Sequence, residues 1–265
     1  MDQDNTRYLQ KVILMIIKDI DSFCKDNGIE YYLLGGSAIG AIRHKGFIPW
    51  DDDLDIIMTH ENYDKFVECC KGQLDKEKYD IQLGREDWPL YFSKIRLKGT
   101  ELKEHCDGYD YKNKGIYVDV FMMDNVPDSQ ILALWQYFCA KLYLCYQLSK
   151  RKYTVASVGK KVLMFLSFPL KLTIIRDFII RQVEKYNDRP TRRLGFYYGR
   201  TNRKTSQIDK ALFGKPLYVP FEDTMLPVPE FYHEYLTQMF GDYMKLPPLE
   251  ERVGLHITNI DFGKY

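Results

Sequence analysis

Four carboxylates, Asp51, Asp52, Asp53 and Asp55, are concentrated at the start of an apolar run. Side chains alternate between the two faces of a β-strand, so Asp53 and Asp55 are predicted to share one face while Leu54 points to the other. Two neighbouring carboxylates require a counter-charge if both remain ionised. Mg²⁺ or Mn²⁺, which prefers oxygen ligands, would supply that charge. The alternative for an acidic cluster of this kind is a solvated turn.

A glycine-serine turn lies upstream of these acids. Gly35-Gly36-Ser37 follows an apolar, strand-like run and precedes a short helical segment. Glycines allow backbone N–H groups to approach an anion closely, and a helix N-terminus attracts negative charge. Ser37 and the amides around Gly36 are therefore predicted to form a phosphate cradle opposite the acids. A cradle that faces a metal-binding strand indicates metal-dependent phosphoryl or nucleotidyl transfer.

A further acid, Asp119, is embedded in the apolar run 116–123. Burying a carboxylate is costly unless it is paired or bound to a metal. We expect Asp119 on the strand beside Asp53 and Asp55, where it would supply the third carboxylate of the metal site. The alternative is a carboxylate neutralised by a nearby Lys or Arg. Asp51 is expected to orient a metal-bound water or to serve as the base.

Five basic side chains are candidates for contacting the same phosphates. Lys94 and Arg96 are two residues apart in a predicted strand and would present positive charge from one face. Arg43 and His44, at the end of the short helical segment, are expected either to bind substrate or to stabilise the fold. His256 is expected either to contact a substrate phosphate or to be structural.

Aromatic residues make up 15% of the chain and include 21 Tyr. Rings with a polar tip are typical of clefts and interfaces. Trp50, Trp88 and Tyr91 are candidates for enclosing a quaternary ammonium by cation–π attraction, with core packing as the alternative for each.

The spacing of apolar residues predicts the elements that position these groups. The predicted helices are 5–26, 36–44, 60–71 and a segment from 229 to 241. The predicted strands are 29–34, 53–58, 79–83, 90–97 and 116–123, and two short apolar stretches flank residues 222–223. The chain therefore mixes helices and strands, and the resemblance described below implies the α+β class for it.

The middle of the chain has a different composition. The segments 131–148 and 162–180 are apolar and aromatic, and charged residues and Pro169 interrupt their runs. Residues 141–204 contain sixteen Lys or Arg against three acids, a net charge of +13 in a chain whose total is +1. We expect these segments to be helices that either pack on the core or lie at the interface of an anionic membrane. The alternative is a helical subdomain with a solvated basic face.

Composition limits the compartment and the domain count. A 265-residue chain with 45% hydrophobic and 28% charged residues is typical of a globular protein. Six Cys without a paired spacing favour reduced core thiols. Polar residues follow Met1, so we expect no signal peptide. We expect a cytoplasmic protein, peripheral at the inner face of the plasma membrane if it binds membrane. The predicted division is a core at 1–130, a basic helical segment at 131–204, and a C-terminal part at 205–265 that packs back on the core.

Residues 33–57, with GGSAIGAIRHKGFIPWDDDLDI in particular, resemble the LicD family of the nucleotidyltransferase-fold superfamily. Later stretches are also similar, so the resemblance covers about residues 8–256: FSKIR at 92–96 with Thr100, VDVF at 118–121, Glu222-Asp223 before Val228-Pro229, FGDYM at 240–244 and Pro247-Pro248. The resemblance implies a polymerase-beta-like mixed sheet flanked by helices, with the basic segment as a helical insertion.

The resemblance also implies an activity. Members of this family transfer a phospho-alcohol, in the best-known cases phosphocholine from CDP-choline, to a sugar of a cell-surface glycan such as lipopolysaccharide or teichoic acid. Mg²⁺ held by Asp53, Asp55 and Asp119 would serve such a transfer, with a CDP-alcohol as donor and a lipid-linked glycan as acceptor. Choline, ethanolamine, ribitol and glycerol phosphates all remain open.

Two other functions could use some of the same residues. A nucleotidyltransferase that attaches NMP from an NTP to a hydroxyl would use the same metal-binding carboxylates, so the sequence leaves it open. Nucleic-acid binding through the basic block is not expected, because the block lacks a recognisable motif for it and a pure binder needs no clustered acids beside a phosphate cradle.

Overall fold

The computed structural model of the chain describes residues 3–85, 90–104, 113–150, 158–198, 202–254 and 257–265. The helices are α1 (Gln3–Asp26), α2 (Gly35–Ile39), α3 (His60–Gln73), α4 (Gln130–Lys150), α5 (Val158–Leu166), α6 (Thr173–Glu184), α7 (Arg203–Ser206) and α8 (Tyr232–Phe240). The strands are β1 (Tyr32–Leu33), β2 (Asp55–Thr59), β3 (Tyr79–Gln82), β4 (Ser93–Leu97), β5 (Glu101–Glu104), β6 (Tyr117–Val126), β7 (Arg193–Gly195), β8 (Gln207–Asp209), β9 (Leu217–Phe221), β10 (Thr224–Val228) and β11 (Ile257–Asp261). Shorter turns are π-helical at Gly40–His44 and 3₁₀ at Phe168–Lys171, Lys210–Leu212 and Leu249–Glu251.

The central sheet has seven strands within the described part of the chain, in the order β1-β2-β6-β4-β3, with β7 paired to β6 and β8 to β7. Strands β2 and β6 run parallel, and the other neighbouring pairs of this sheet run antiparallel. Helices α1, α3 and α6 contact β6. The protein is therefore a mixed α/β fold with helices that flank a mixed sheet, as the sequence predicts. The three-part domain division remains a prediction.

The two parallel strands occupy the centre of the sheet because their sequences are apolar on both faces. Ile56, Ile57 and Met58 of β2 are all buried, and nine of the ten residues of β6 are buried. Continuous apolar runs of this kind are typical of strands that are covered on both sides. Helix α1 supplies part of this cover with an apolar face repeated every three or four residues. Its buried aliphatic side chains include Leu9, Ile13, Ile16, Ile17 and Ile20.

Most predicted elements differ from the observed ones at their ends or in their continuity, most clearly at two strands and one helical segment. Strand 53–58 begins two residues later than predicted, so Asp53 lies in the loop before β2. The strand predicted at 29–34 is reduced to the two residues of β1. The segment 162–180 is not one helix but α5, a 3₁₀ turn and α6, because Pro169 has no N–H to donate and its ring clashes with the preceding turn.

Four observed strands have no counterpart in the sequence prediction. β5 pairs with β11 near the C-terminus, and β7 and β8 extend the sheet beyond the end of β6. These strands are three to five residues long and mostly polar, so they lack the alternation that identifies a strand from sequence.

Within the described residues, we find no helix with both the length and the apolar composition that a membrane span requires.

Candidate active site

One row of polar side chains crosses three strands in the middle of the apolar sheet. Asp55 on β2 is in register with Asp119 on the parallel strand β6, and Asp119 is in register with Lys94 on β4. Residues in register on neighbouring strands point to the same face of a sheet. The expected position of Asp119 beside Asp55 is therefore the observed one. The row also places a lysine beside the acid pair.

Three further carboxylates lie in the loop that leads into β2. One side-chain oxygen from each of Asp51, Asp52 and Asp53 lies within 4.8 Å of the other two. Burial raises the pKa of the Asp51 carboxyl well above its usual value, and the charges of Asp53 and Asp52 raise it further. Burial likewise raises the pKa of Asp55, with additional contributions from Asp53, Asp119 and Asp51. The charges of these five acids therefore affect one another. We call them together the acidic site: Asp51, Asp52, Asp53, Asp55 and Asp119.

The donor set of this acidic site suits a hard divalent cation. Asp51, Asp53, Asp55 and Asp119 offer only carboxylate oxygens, which Mg²⁺ and Mn²⁺ prefer. Buried carboxylates whose pKa values are raised by one another gain stability from a bound cation, because it replaces the water they have lost. The residues therefore fit a metal ion.

The glycine-serine turn forms α2 and lies against the acidic site. A Cβ added at Gly36 would lie 2.8 Å from Oδ2 of Asp51, so the backbone of α2 approaches the loop acids as closely as a glycine permits. Gly35 has a positive φ of 57°, a conformation that favours glycine. The Ser37 hydroxyl oxygen accepts a hydrogen bond of 2.9 Å from the backbone N–H of Asp55. Ser37 therefore ties α2 to the first residue of β2, and its contact with a phosphate remains a prediction.

Lys94 and Arg96 are enclosed in the protein rather than directed at a surface ligand. Only 1% of Lys94 is exposed. Its ammonium lies 2.8 Å from Oδ1 of Asp119, 3.3 Å from Oε1 of Glu104 and 3.2 Å from the ring centre of Tyr117. The alternative raised for Asp119, a carboxylate neutralised by a nearby lysine, is the arrangement observed here.

The Arg96 guanidinium is also buried and donates to the side-chain oxygen of Gln82 (2.7 Å) and to the backbone oxygen of Gly115 (2.9 Å). These contacts favour a positioning role for both residues within the sheet. Whether Lys94 or Arg96 also presents its charge to a phosphate stays a prediction.

Arg43 and His44 connect the π-helical turn to the segment after α8. The Arg43 guanidinium donates to the backbone oxygens of Tyr243 (2.7 Å) and Lys245 (3.3 Å), and its Nε donates to Nε2 of His44 (2.9 Å). Burial, and then the neighbouring charge of Arg43, lower the pKa of His44. These contacts give both residues a role in stabilising the fold. They leave open whether either also binds substrate.

An open cleft of about 390 Å³ lies beside these residues. Its lining includes Arg43, Trp50, Asp242, Tyr243 and Lys245. The Arg252 guanidinium lies 5.4 Å from the ring centre of Trp50. A cleft with aromatic walls and cationic groups suits a ligand that combines a ring or ammonium with phosphates.

Of the other aromatic candidates, Tyr91 is described, and it does not line this cleft. Tyr91 is buried and stacks on Tyr198 with ring centres 4.0 Å apart, so core packing is its role. Trp88 and His256 lie outside the described residues, and their contacts with a ligand stay predictions.

Two acids that the sequence analysis did not assign lie in or beside the acidic site. Glu104 on β5 accepts hydrogen bonds from the Tyr117 hydroxyl and from Lys94. Asp52 is buried and accepts a hydrogen bond of 3.3 Å from the backbone N–H of Ile257 on β11. Because β5 pairs with β11, these acids link the C-terminal strand to the site. Only the clustering of Asp52 with its neighbours was visible in the sequence.

Similarity to known proteins extends over almost the whole chain. Residues 28–137 match the profile of the family described as LicD/FKTN/FKRP, nucleotidyltransferase domain. Over 258 residues, which are 95% of this chain and 96% of the other, the chain is 31% identical to the lipopolysaccharide cholinephosphotransferase LicD of Haemophilus influenzae. An uncharacterized protein of Rickettsia prowazekii is 42% identical over 116 residues, 44% of this chain and 40% of that protein. The chain therefore belongs to the LicD family.

Proposed function

We propose that the protein is a metal-dependent transferase that moves phosphocholine, or a related phospho-alcohol, from a CDP-linked donor to a sugar hydroxyl of a cell-surface glycan. The name of the Haemophilus relative, which matches over nearly the whole of both chains, supports phosphocholine as the transferred group and lipopolysaccharide as the acceptor. The single observation that carries the chemistry is the contact between Gly36 of the cradle and the acidic site at Asp51.

The acids and the cradle would have separate roles. Asp53, Asp55 and Asp119 would hold one or two Mg²⁺ or Mn²⁺ ions, with one oxygen of Asp119 engaged by Lys94. When bound, the cation neutralises the diphosphate of the donor and makes its phosphorus more electrophilic. Backbone N–H groups of α2 near Gly36 and the Ser37 hydroxyl would orient the same diphosphate.

In the proposed reaction, the acceptor sugar hydroxyl attacks the phosphorus of the phosphocholine group in line with the leaving oxygen. A new P–O bond to the sugar forms, the P–O bond to the bridging diphosphate oxygen breaks, and CMP leaves. The hydroxyl proton passes to Asp51. The Asp51 carboxylate lies beside the cradle that would hold the diphosphate of the donor, and this position makes it the candidate base.

We further propose that the cleft at Trp50 holds part of the donor. Ile39 of α2 and Arg43 line the cleft, so it adjoins the helix of the cradle and carries a cation. The Trp50 ring offers a face for a base or an ammonium. The sheet order and the position of the cradle before β2 support a polymerase-beta-like nucleotidyltransferase fold for the core, residues 1–130.

The direct test supplies the purified protein with Mg²⁺, a lipopolysaccharide acceptor and a labelled donor. CDP-choline, CDP-ethanolamine, CDP-ribitol, CDP-glycerol, CTP and ATP are compared. We expect label from one CDP-alcohol to appear in the glycan with release of CMP, and EDTA to abolish the transfer. Transfer of label from CTP or ATP as NMP, with no product from any CDP-alcohol, would replace this proposal with a nucleotidyltransferase.

Gly36→Ala is expected to impair the transfer without destabilising the protein. The added methyl group would lie 2.8 Å from Asp51 Oδ2 and must displace that carboxylate. A displacement of about 1 Å at a reacting group costs roughly a hundredfold in rate. Alanine is otherwise favourable in a helix, so the free energy of unfolding should not fall. Steady-state rates and urea unfolding measure the two quantities.

The matched control for this substitution is Gly72→Ala in α3, where nothing lies within 4 Å of the added Cβ. We expect this control to keep its rate. Equal rates for Gly36→Ala and the wild-type protein would contradict the close approach of cradle and acids on which the proposed chemistry depends.

A further inference from the structure

Helix α4 exposes a row of large apolar side chains on the side that faces away from the sheet. Ile131, Leu134, Trp135 and Phe138 are all exposed. Their spacing of three and four residues places them on one side of the helix. The opposite side, which includes Ala133 and other buried residues, packs on the protein. The packing of α4 on the protein therefore does not require these large apolar side chains.

The two following helices and the turn between them expose a similar set. Phe165 of α5 is 79% exposed and Ile174 of α6 is 80% exposed. Phe168, Leu172 and Phe178 are also exposed. Protein surfaces carry single apolar residues without consequence, but a concentration of large ones marks an interaction site.

Helices α4, α5 and α6 and the 3₁₀ turn at Phe168–Lys171 pack against one another, and we call them the helical layer. The Trp135 indole N–H, near the start of α4, donates to the side-chain oxygen of Gln182 near the end of α6 (3.4 Å). Gln136 donates to the backbone oxygen of Val183 (2.6 Å), so the start of α4 lies against the end of α6. Helix α5 and the 3₁₀ turn also pack against α4. We call the exposed side chains of this layer the apolar face: Ile131, Leu134, Trp135, Phe138, Phe165, Phe168, Leu172, Ile174 and Phe178.

The charges around the apolar face define the partner that fits it. Lys161, Lys171 and Arg181 lie close in sequence to residues of the apolar face and are exposed. The Lys171 ammonium lies 4.0 Å from the ring centre of Phe168, so a positive charge and an aromatic ring are adjacent there. The sequence from 141 to 204 has a net charge of +13. Aromatic and aliphatic groups interleaved with cations match the interface of an anionic bilayer, in which rings enter the acyl boundary and cations meet lipid phosphates.

We propose that the apolar face seats the protein on the surface of an anionic membrane. The layer would lie in the plane of the interface rather than cross it, and the charges of Lys161, Lys171 and Arg181 would pair with lipid headgroups. The benefit of this position rests on the proposed function, because an acceptor glycan assembled on a lipid carrier would then be met at the membrane surface. The binding itself requires neither donor nor acceptor, so it is tested separately.

The test is flotation of the full chain with vesicles of phosphatidylcholine alone or mixed with phosphatidylglycerol. We expect binding to the mixed vesicles at low salt, weakened by added salt because the headgroup charges are screened. The double variant Phe165→Asp/Ile174→Asp should bind the mixed vesicles at least about tenfold more weakly, because it replaces two inserting side chains by repelled acids. Both residues are exposed, so the variant is expected to keep the wild-type unfolding midpoint.

Leu249→Asp is the matched control, since Leu249 is 75% exposed on a 3₁₀ turn outside the layer. It should float like the wild-type chain. Absence of wild-type binding to the mixed vesicles, or equal binding by the control and the double variant, would overturn the proposal. A wild-type dimer that the double variant abolishes, without vesicle binding, would assign the apolar face to a second copy of the chain instead. Flotation without transfer would leave this proposal standing while the proposed function fails.

Discussion

Asp53→Asn and Asp55→Asn are each expected to lower the rate of transfer about a thousandfold, the loss typical of removing one group that stabilises charge in a transition state. The asparagine oxygen is a weaker ligand than a carboxylate and does not neutralise a divalent cation. The fold should survive, because the backbone N–H of residue 55 still donates to the Ser37 hydroxyl. Initial rates with the productive CDP-alcohol measure the effect.

The same variants are expected to keep or raise the stability of the metal-free protein. Burial and then the neighbouring acids raise the pKa of Asp55, which means that its charged form is unfavourable there. An amide removes that cost, so activity and stability should change in opposite directions, as they do where an active site is strained. Unfolding midpoints of the variants and the wild-type protein, measured with EDTA, give the stability of the metal-free state. The increase in midpoint on adding Mg²⁺ should be smaller in both variants than in the wild-type protein.

Asp188→Asn is the control for these substitutions, because Asp188 is exposed in the loop after α6. It should leave both the rate and the Mg²⁺-dependent midpoint unchanged. A folded Asp53→Asn or Asp55→Asn protein with a near wild-type rate would show that these carboxylates do not hold the metal.

The acid pair could be placed from sequence because local patterns determine it. Apolar residues around Asp55 and Asp119 fix each acid to a buried strand. Two central strands with continuous apolar runs are commonly neighbours in a parallel pair. The cradle was also visible, since Gly35, Gly36 and Ser37 are adjacent in the chain. The sequence was therefore sufficient to predict the positions of site residues that are close together in the chain or that lie on the two most apolar strands.

The position of Lys94 was not predictable in the same way. The sequence correctly indicated a strand with Lys94 and Arg96 on one face. It did not indicate that β4 would pair with β6 in the register that places Lys94 opposite Asp119. Register between distant strands depends on the pairing of whole faces rather than on any local signal. A basic side chain that was expected to meet a phosphate is for this reason already paired inside the protein.

The contacts between the acidic site and the C-terminal strand also depend on a pairing between distant strands. Glu104 and Ile257 belong to β5 and β11, which are paired across more than half of the chain. Neither strand has a continuous apolar run or a clean alternation, so neither was predicted. The exposed side of α4 is a second example, because this helix is apolar around most of its circumference and the sequence cannot distinguish its buried side from its free one.

Lys94→Met is expected to lower the free energy of unfolding by about 3–5 kcal/mol, the cost of removing one partner from a buried ion pair. Methionine fills a similar volume, so the loss comes from the carboxylates of Asp119 and Glu104 that remain without the lysine's charge. The contact between the ammonium and the Tyr117 ring is lost as well. Urea unfolding at neutral pH with EDTA measures the effect without a contribution from a bound metal.

Lys103→Met is the control, because Lys103 lies on β5, the next strand along the chain, with its side chain exposed. Substitutions at exposed positions usually change stability by less than about 0.5 kcal/mol. If Lys94→Met were no more destabilising than Lys103→Met, the lysine would not be neutralising the acidic site.

A double-mutant cycle with Asp119→Asn separates the ion pair from the packing of Lys94. In the Lys94→Met/Asp119→Asn protein the stranded charge at position 119 is gone, so the double variant should be more stable than Lys94→Met alone. Strict additivity of the two single losses would contradict a direct pair between these residues. The coupled outcome would mean that Lys94 neutralises Asp119 in the metal-free protein, so that the parallel strands that carry Asp55 and Asp119 can pair before a cation binds.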